Sequence, residues 1–295
     1  MNEQGTVQRV GFIGLGQMGA PMAGHIARSD IALSVFDLRP EAADACVEAG
    51  AARAESALAA ATDAEVVCVV VATDAQLLDT VSNDLIEAMA PDGIVVIHST
   101  VGIASVRTLA HRAELLGRHA IDVGISGGEF GAQSGDLTMI AGGEEAIIDR
   151  VRPVLECYSD QIFHTGGLGT GMTVKLARNL TGYTMMAAIH DGQVLVEAAG
   201  VELGVFKQVL EATHLEWMTD YVIGRTRTLP EAAQFDRHDG AVGLVAIGHK
   251  DLAMADAAAS EFGVEVPSAA VAQRHYADVI GVELEIDPEL LIERR

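Results

Sequence analysis

Only three of the 19 basic residues in this 295-residue chain are lysine, and two of the three lie in strings whose neighbours could share their chemistry. One string is Gly169-Thr170-Gly171-Met172-Thr173-Val174-Lys175-Leu176-Ala177-Arg178-Asn179, and the other is His249-Lys250-Asp251-Leu252. A chain that uses arginine for general positive charge has no solubility reason to place an ammonium at either position. An ammonium gives up its proton when desolvated, whereas a guanidinium keeps its own. Lys175 is therefore the candidate for general acid/base work. Asn179 follows four residues later, one turn along the same helical face, where its amide can orient the oxygen whose proton Lys175 moves. A third string, running from His119 to Ala132, places Ser126, Gly127 and Gly128 just past a strand-like run ending at Val123. Backbone amides of the two glycines, with the serine hydroxyl, suit a carboxylate. The catalytic candidates are thus Lys175, Asn179, Ser126, Gly127 and Gly128, and the substrate they suggest is a small carboxylate-bearing molecule.

A second constellation points to a dinucleotide. Val10-Gly11-Phe12-Ile13-Gly14-Leu15-Gly16-Gln17-Met18-Gly19 reads as a strand running straight into G-x-G-x-x-G. Gly14 makes the tight turn, Gly16 lets the backbone approach a pyrophosphate, and Gly19 lets the new helix pack on the strand. Gln17 and Met18 open that helix, whose N-terminal amides face the phosphates. Asp37 closes the second strand at the distance where an acid receives ribose hydroxyls. A carboxylate there repels a 2'-phosphate, so NAD is the preferred cofactor. Arg39, two residues on, can accommodate a phosphate, which leaves NADP possible. Val71 and Ala72, at the end of the apolar run that starts at Val66, complete this part of the cofactor-binding set. The ten histidines show no H-x-x-x-H or carboxylate cluster at ligand spacing, so no metal is expected, and His98 reads as a packing residue.

The elements that would position these groups follow from periodicity. Residues 8 to 165 alternate short apolar runs with helical stretches, which marks a doubly wound, mostly parallel sheet. Strands are expected at 9–13, 33–37, 66–71, 94–98, 119–123, 137–141 and 161–164, with helices at 18–28, 41–49 and 144–158 between them. The rhythm stops at Gly166-Gly167-Leu168-Gly169, and the next 30 residues carry no proline and keep apolar residues at helical spacing. The reading is an α/β domain over residues 1–165, then an all-α domain over 166–295 built on a long interdomain helix. Trp217 and Tyr221 read as core, residues 228–239 as a break, and the charged stretch from Glu283 as a surface tail.

Composition excludes other classes. A formal charge of −23 argues against nucleic acid and against an anionic membrane, because such binding depends on Lys and Arg neutralising phosphate. No apolar run approaches the roughly 20 residues of a membrane span. The start of the chain lacks the basic-then-apolar pattern of a signal peptide. Three widely spaced cysteines give neither a disulfide framework nor a metal pattern, so the expected location is a reducing cytoplasm.

Taken together, these strings resemble the β-hydroxyacid dehydrogenase family, which takes in 3-hydroxyisobutyrate dehydrogenase-like and 6-phosphogluconate dehydrogenase-like enzymes. Gly14 to Ala23 is similar to its cofactor fingerprint, Ser99-Thr100 to its loop beside the nicotinamide, Asp122 to Gly135 to its substrate loop, Lys175 to Asn179 to its catalytic motif and Lys250-Asp251-Leu252 to its C-terminal motif. The resemblance implies a Rossmann domain for the N-terminal half. It also implies Lys175 as general acid/base, Asn179 with Ser126-Gly127-Gly128 as substrate holders, and Thr100 and Lys250 as cofactor-site residues. It further implies a homo-oligomer, a dimer or a tetramer. Departures fall on the substrate side: Gly124 stands where a proline is usual, Asp136 where threonine is common, Ile103 in place of the usual proline and Arg178 in place of an asparagine. No aromatic residue occurs in Gly240-Ala241-Val242-Gly243-Leu244. The expected reaction is hydride transfer between NAD and a small β-hydroxy acid or its semialdehyde. The alternatives are a related imine or aldehyde reductase, in which the lysine is commonly replaced, and a dinucleotide-binding regulator without turnover.

Overall fold

A computed structural model describes residues 7–198, 200–213, 241–261, 267–280 and 282. By packing, the chain divides into two units, Met1–Lys175 and Leu176–Arg295. The first unit is one eight-stranded sheet in the order β3-β2-β1-β4-β5-β6-β7-β8. The strands are β1 (Arg9–Ile13), β2 (Ala32–Phe36), β3 (Ala52–Arg53), β4 (Val66–Val69), β5 (Ile94–Ile97), β6 (His119–Ser126), β7 (Leu137–Gly142) and β8 (Ser159–His164). All neighbouring pairs run parallel except β6 with β7. Every residue of β4 and of β5 is buried. Such continuous Val/Ile runs are what strands covered on both faces require. The strand order reverses at β1, between β2 and β4, and this switch point is where open parallel sheets take ligands.

Helices cover the sheet: α1 (Gly19–Ala27), α2 (Asp44–Glu48), α3 (Ala57–Ala61), α4 (Asp74–Thr80), α5 (Asn83–Ala88), α6 (Ile103–Leu115), α7 (Gly128–Ser134) and α8 (Glu145–Leu155). The single helix expected at 41–49 is instead a 3-10 turn, Pro40–Ala43, followed by α2. Pro40 sits in the first turn, where its missing N–H costs nothing. Aliphatic side chains such as Phe12, Val35, Val66, Val96, Ile121 and Met139 fill the core. Two strand readings need correction. The two-residue β3 was not expected, being too short to carry an alternating pattern. The sixth strand does not end at Val123, because β7 returns antiparallel and pairs Gly124 with Ile140, Ile125 with Met139 and Ser126 with Thr138. Ser126 is thus the last residue of a strand, and only Gly127 and Gly128 lie past it.

The long helix α9 (Thr170–Ala198, 29 residues) starts in the first unit and ends in the second. The second unit continues with α10 (Leu203–Ala212), α11 (Ala241–Glu261) and α12 (Pro267–Ile280). Its core joins Met186 and Ile189 of α9, Val245 and Leu252 of α11, and Tyr276 and Val279 of α12. Gly248 lets the Tyr276 ring lie against α11, since a Cβ there would stand 2.0 Å from the ring. Trp217, Tyr221, residues 228–239 and the stretch from Glu283 lie outside the described residues. No described helix is long and apolar enough to cross a membrane.

Candidate active site

The glycines of the first turn divide the work as their spacing predicts. Gly14 has φ +92° and lies so close to β4 that a Cβ on it would stand 1.9 Å from the Val70 carbonyl oxygen. A Cβ on Gly19 would stand 1.9 Å from the Gly14 oxygen, which is the close approach that lets α1 pack on β1. A Cβ on Gly16 would meet nothing within 4 Å. The backbone at Gly16 therefore fronts open space. At the start of α1, Met18 makes no side-chain cap, whereas Ser56, Thr73 and Ser82 cap α3, α4 and α5. A helix start with amides uncapped by a side chain, beside open space at a sheet's switch point, fits the pyrophosphate of a dinucleotide.

Asp37 follows β2 and makes a contact the sequence did not suggest. Its Oδ2 accepts a hydrogen bond from the Leu15 amide at 2.7 Å, so the carboxylate braces the glycine turn. Its Oδ1 accepts from the Arg39 amide at 2.9 Å and lies 3.4 Å from Arg39 Nε. The Asp37 side chain is 12% exposed and that of Arg39 57%. The guanidinium thus covers the carboxylate from the solvent side. Beyond β4, the Val71 amide donates to Ser99 Oγ at 2.7 Å and the Ala72 amide to Gln76 Oε1 at 2.9 Å. Both loop amides are held by side chains, and the half-buried Thr100 follows Ser99 at the end of β5.

Lys175 lies in the second turn of α9, and β6 supports it. Asp122, 0% exposed, accepts from the Gly169 amide at 2.7 Å and from the Met172 amide at 2.6 Å. Burial pushes this carboxyl above its ordinary range, opposed by these backbone donors. Gly171 touches the sheet backbone to backbone: a Cβ on it would stand 2.5 Å from Ile140 O and 2.6 Å from Gly142 N. Gly124 receives the lysine stem, since a Cβ there would stand 2.7 Å from Lys175 Cβ and 3.0 Å from its Cγ. Ser126 comes two residues further along β6. Gly127 (φ +132°) and Gly128 (φ +64°) then adopt left-handed conformations that favour glycine, and both are exposed. His25 of α1 hydrogen-bonds the Gln133 carbonyl at 3.0 Å and so ties α7 to the cofactor helix.

In the second unit, Asn179 is buried and its Nδ2 donates to Asp251 Oδ2 at 2.7 Å. Tyr183 donates its hydroxyl to the same oxygen at 3.1 Å, and Lys250 Nζ stands 3.2 Å from Asp251 Oδ1. Burial raises the Tyr183 pKa well above its ordinary value, with the Asp251 charge adding to it, so the hydroxyl stays a donor. The sequence named Asp251 only as part of the Lys250-Asp251-Leu252 motif, and the structure brings its carboxylate against Asn179 and Tyr183. The available signal was an acid on an otherwise apolar helical stretch beside a rare lysine. His98 is buried as a packing residue, with Nδ1 at 2.9 Å from the Val123 carbonyl and Nε2 at 3.0 Å from Tyr158 Oη. Among the described residues no group of three His, Cys, Asp or Glu side chains could hold a metal ion.

Residues 9–166 match the family model described as the NAD binding domain of 6-phosphogluconate dehydrogenase. Residues 169–285 match the one described as NAD-binding of NADP-dependent 3-hydroxyisobutyrate dehydrogenase. The chain is 30% identical over 271 residues to the 3-hydroxyisobutyrate dehydrogenase of Pseudomonas aeruginosa, with 91% of each chain covered. It is 33% identical over 206 residues to the NAD-dependent L-serine dehydrogenase of the same organism, with 69% of each covered. The solved structure of Mycobacterium tuberculosis 3-hydroxyisobutyrate dehydrogenase with L-serine aligns at a TM-score of 0.80 and 27% identity, over 98% of this chain and 99% of that one.

Proposed function

The chain belongs to the β-hydroxyacid dehydrogenase family, and we propose that its reaction is reversible hydride transfer between NAD and a short β-hydroxy acid, with Lys175 moving the proton. As an oxidoreductase of this family it uses a nicotinamide dinucleotide and acts on small hydroxy acids. The bound dinucleotide supplies the hydride acceptor or donor. In oxidation, neutral Lys175 takes the hydroxyl proton; in reduction, its ammonium protonates the developing alkoxide. Asn179 orients the substrate oxygen, its own amide turned by Asp251. Ser126, Gly127 and Gly128 hold the carboxylate. Gly14, Gly16, Gln17, Met18 and Gly19 form the turn that takes the pyrophosphate, with Asp37 toward the ribose and Val71, Ala72, Thr100 and Lys250 completing the cofactor set. The observation that carries this reading is the seating of Lys175 against Gly124, two residues before Ser126 on the same strand.

NAD is read as preferred because Asp37 presents a carboxylate where a 2'-phosphate would come. The similarity to an NAD-dependent L-serine dehydrogenase supports that reading, while one matched family model is described as NADP-dependent. A homodimer or homotetramer in a reducing cytoplasm completes the proposal, in keeping with three free cysteines.

The test is turnover of a panel comprising L-serine, 3-hydroxyisobutyrate, 3-hydroxypropionate and glycerate with NAD, and of the matching semialdehydes with NADH. With the departures at Gly124 and Asp136, 3-hydroxyisobutyrate is expected to be a poorer substrate than the best acid on the panel. Lys175→Ala should lower kcat by about 10² to 10⁴, and Lys175→Arg should fail nearly as badly, because a guanidinium will not exchange its proton. Full turnover by Lys175→Ala on the best substrate would sink the mechanism. Dinucleotide binding by the native protein with no turnover on any panel member would favour a regulator.

A further inference from the structure

Resting on the assignment of proton transfer to Lys175, we propose that Asp122 is a positioning residue that fixes where the lysine is delivered, with Gly124 as the seat of its stem. Helix α9 does not begin like α3, α4 and α5, whose first amides are taken by a serine or threonine of their own turn. The Gly169 amide just before it and its own Met172 amide are taken by a carboxylate from a strand 47 and 50 residues earlier in the chain. A local cap holds a helix to itself; a cap from β6 holds the helix to the sheet. Two bonds from one carboxylate, at residues three apart, fix the rotation of the helix as well as its place.

Contact between backbones removes the remaining slack. A Cβ on Gly171 would lie 2.5 to 2.7 Å from backbone atoms of Ile140, Gly142 and Asp122. A Cβ on Gly142 would lie 2.5 Å from Gly171 N and 2.8 Å from Asp122 Oδ1. Glycine at both positions lets α9 sit on the sheet with no side chain between. Lys175 comes three residues after Met172, so the rotation set at the clamp directs its stem onto Gly124.

Asp122, Gly124 and Ser126 alternate along β6, so all three belong to one face of the strand. Successive members lie about 7 Å apart at the strand's rise. Read along the strand, that face holds the clamp for the helix, then the seat for the lysine, then the serine assigned to the substrate. The relation of the ammonium to the serine is thereby set by a single strand.

The test compares Asp122→Asn, which keeps the shape but turns one oxygen into a donor facing an amide, with Gly124→Ala, which leaves the clamp intact and displaces the stem. A misplacement of about 1 Å in a catalytic group costs on the order of 10²-fold, so kcat on the best panel acid should fall roughly 10- to 100-fold in each. NADH affinity by fluorescence titration should stay native in both. The basic limb of kcat/KM against pH should shift in both, because the lysine's surroundings change. The double variant Asp122→Asn/Lys175→Ala should be no slower than Lys175→Ala alone, as expected of residues acting as a unit. Native kcat and native pH limbs in Gly124→Ala would overturn the proposal, as would multiplying losses in the double variant. A native kcat in Lys175→Ala would instead overturn the assignment of Lys175 itself, so the two failures are told apart. If Asp122→Asn does not fold, Gly124→Ala decides.

Discussion

Changing Asp37 to asparagine removes a charge without removing the brace, and this separates the bond to Leu15 from the cofactor discrimination proposed for that residue. The Leu15 amide bonds Oδ2 at 2.7 Å, and an asparagine oxygen can still accept it. A unit charge about 5 Å from another, at an effective dielectric of about 20, is worth roughly 3 kcal/mol. Opposing this, the Arg39 guanidinium lies 3.4 Å from Oδ1 and is 57% exposed, so it offsets much of the repulsion felt by a 2'-phosphate. The remainder, on the order of 1 kcal/mol, corresponds to up to about one decade in favour of NAD. In Asp37→Asn that preference should vanish or reverse, because Arg39 is left facing the phosphate alone, while kcat/KM with NAD stays within a few-fold of native. Asp37→Ala should also lose the brace, and a charged-group hydrogen bond worth about 1.5–3 kcal/mol implies at least a tenfold fall with both cofactors. The assay is kcat/KM with NAD and NADP at a saturating level of the best acid, repeated at high salt, where the contribution of the exposed Arg39 should be screened. A native preference for NADP, or an unchanged cofactor ratio in Asp37→Asn, would refute this account and make Arg39 the reader of that position.

Two further outcomes are expected. Gly127→Val should raise KM for the acid and lower kcat/KM with NADH affinity unchanged, since φ at Gly127 is +132° and its added Cβ would stand 2.9 Å from Leu137 Cδ2; equal loss of cofactor binding would show the segment to be structural only. Burial pushes the His98 pKa down to about 4, while in the unfolded chain the imidazole takes its proton near 6.5. Between those values the unfolded state binds more protons, so the melting temperature should fall as pH drops from about 6.5 toward 4, with no further loss from this group below. His98→Gln should flatten that slope, and a slope unchanged by the substitution would remove His98 as its source.

The parts of the site legible in the sequence are those whose cause is local. Gly14 makes the tight turn and Gly19 the close helix packing that their spacing predicts, and Gly16 fronts open space. Runs such as Val66–Val69 identify themselves by being apolar on both faces. The parts not legible depend on a distant partner. The reach of β6 to Ser126 needs β7, which comes back antiparallel against it. The Asp122 clamp spans 47 and 50 residues and the Asp251 contact with Asn179 spans 72, so no spacing rule connects them. Asp37 was found for its place at a strand end, but its bond to Leu15 depends on how the glycine turn folds back toward β2.

Asp37, Asp122 and Asp251 have one chemical feature in common that explains why each is an acid and not its amide. In each, the carboxylate accepts hydrogen bonds from at least two donors. For Asp37 these are the Leu15 amide on one oxygen and Arg39 on the other. For Asp122 they are the Gly169 and Met172 amides. For Asp251, Asn179 and Tyr183 both donate to Oδ2, and Oδ1 pairs with the Lys250 ammonium at 3.2 Å without a hydrogen bond. At Asp37 and Asp122 an asparagine would turn an NH₂ group toward a donor, while the carboxylate accepts on both sides and forms the stronger, charge-assisted bonds; at Asp251 it would lose the ion pair with Lys250. Burying a charge is costly unless it is met this way, so each of these acids is stable only where a reactive segment brings it donors. Each therefore fastens one segment: the glycine turn after β1, the start of α9, and the Asn179 amide. In a chain of net charge −23, these three acids stand apart in being drawn inward and met by hydrogen-bond donors.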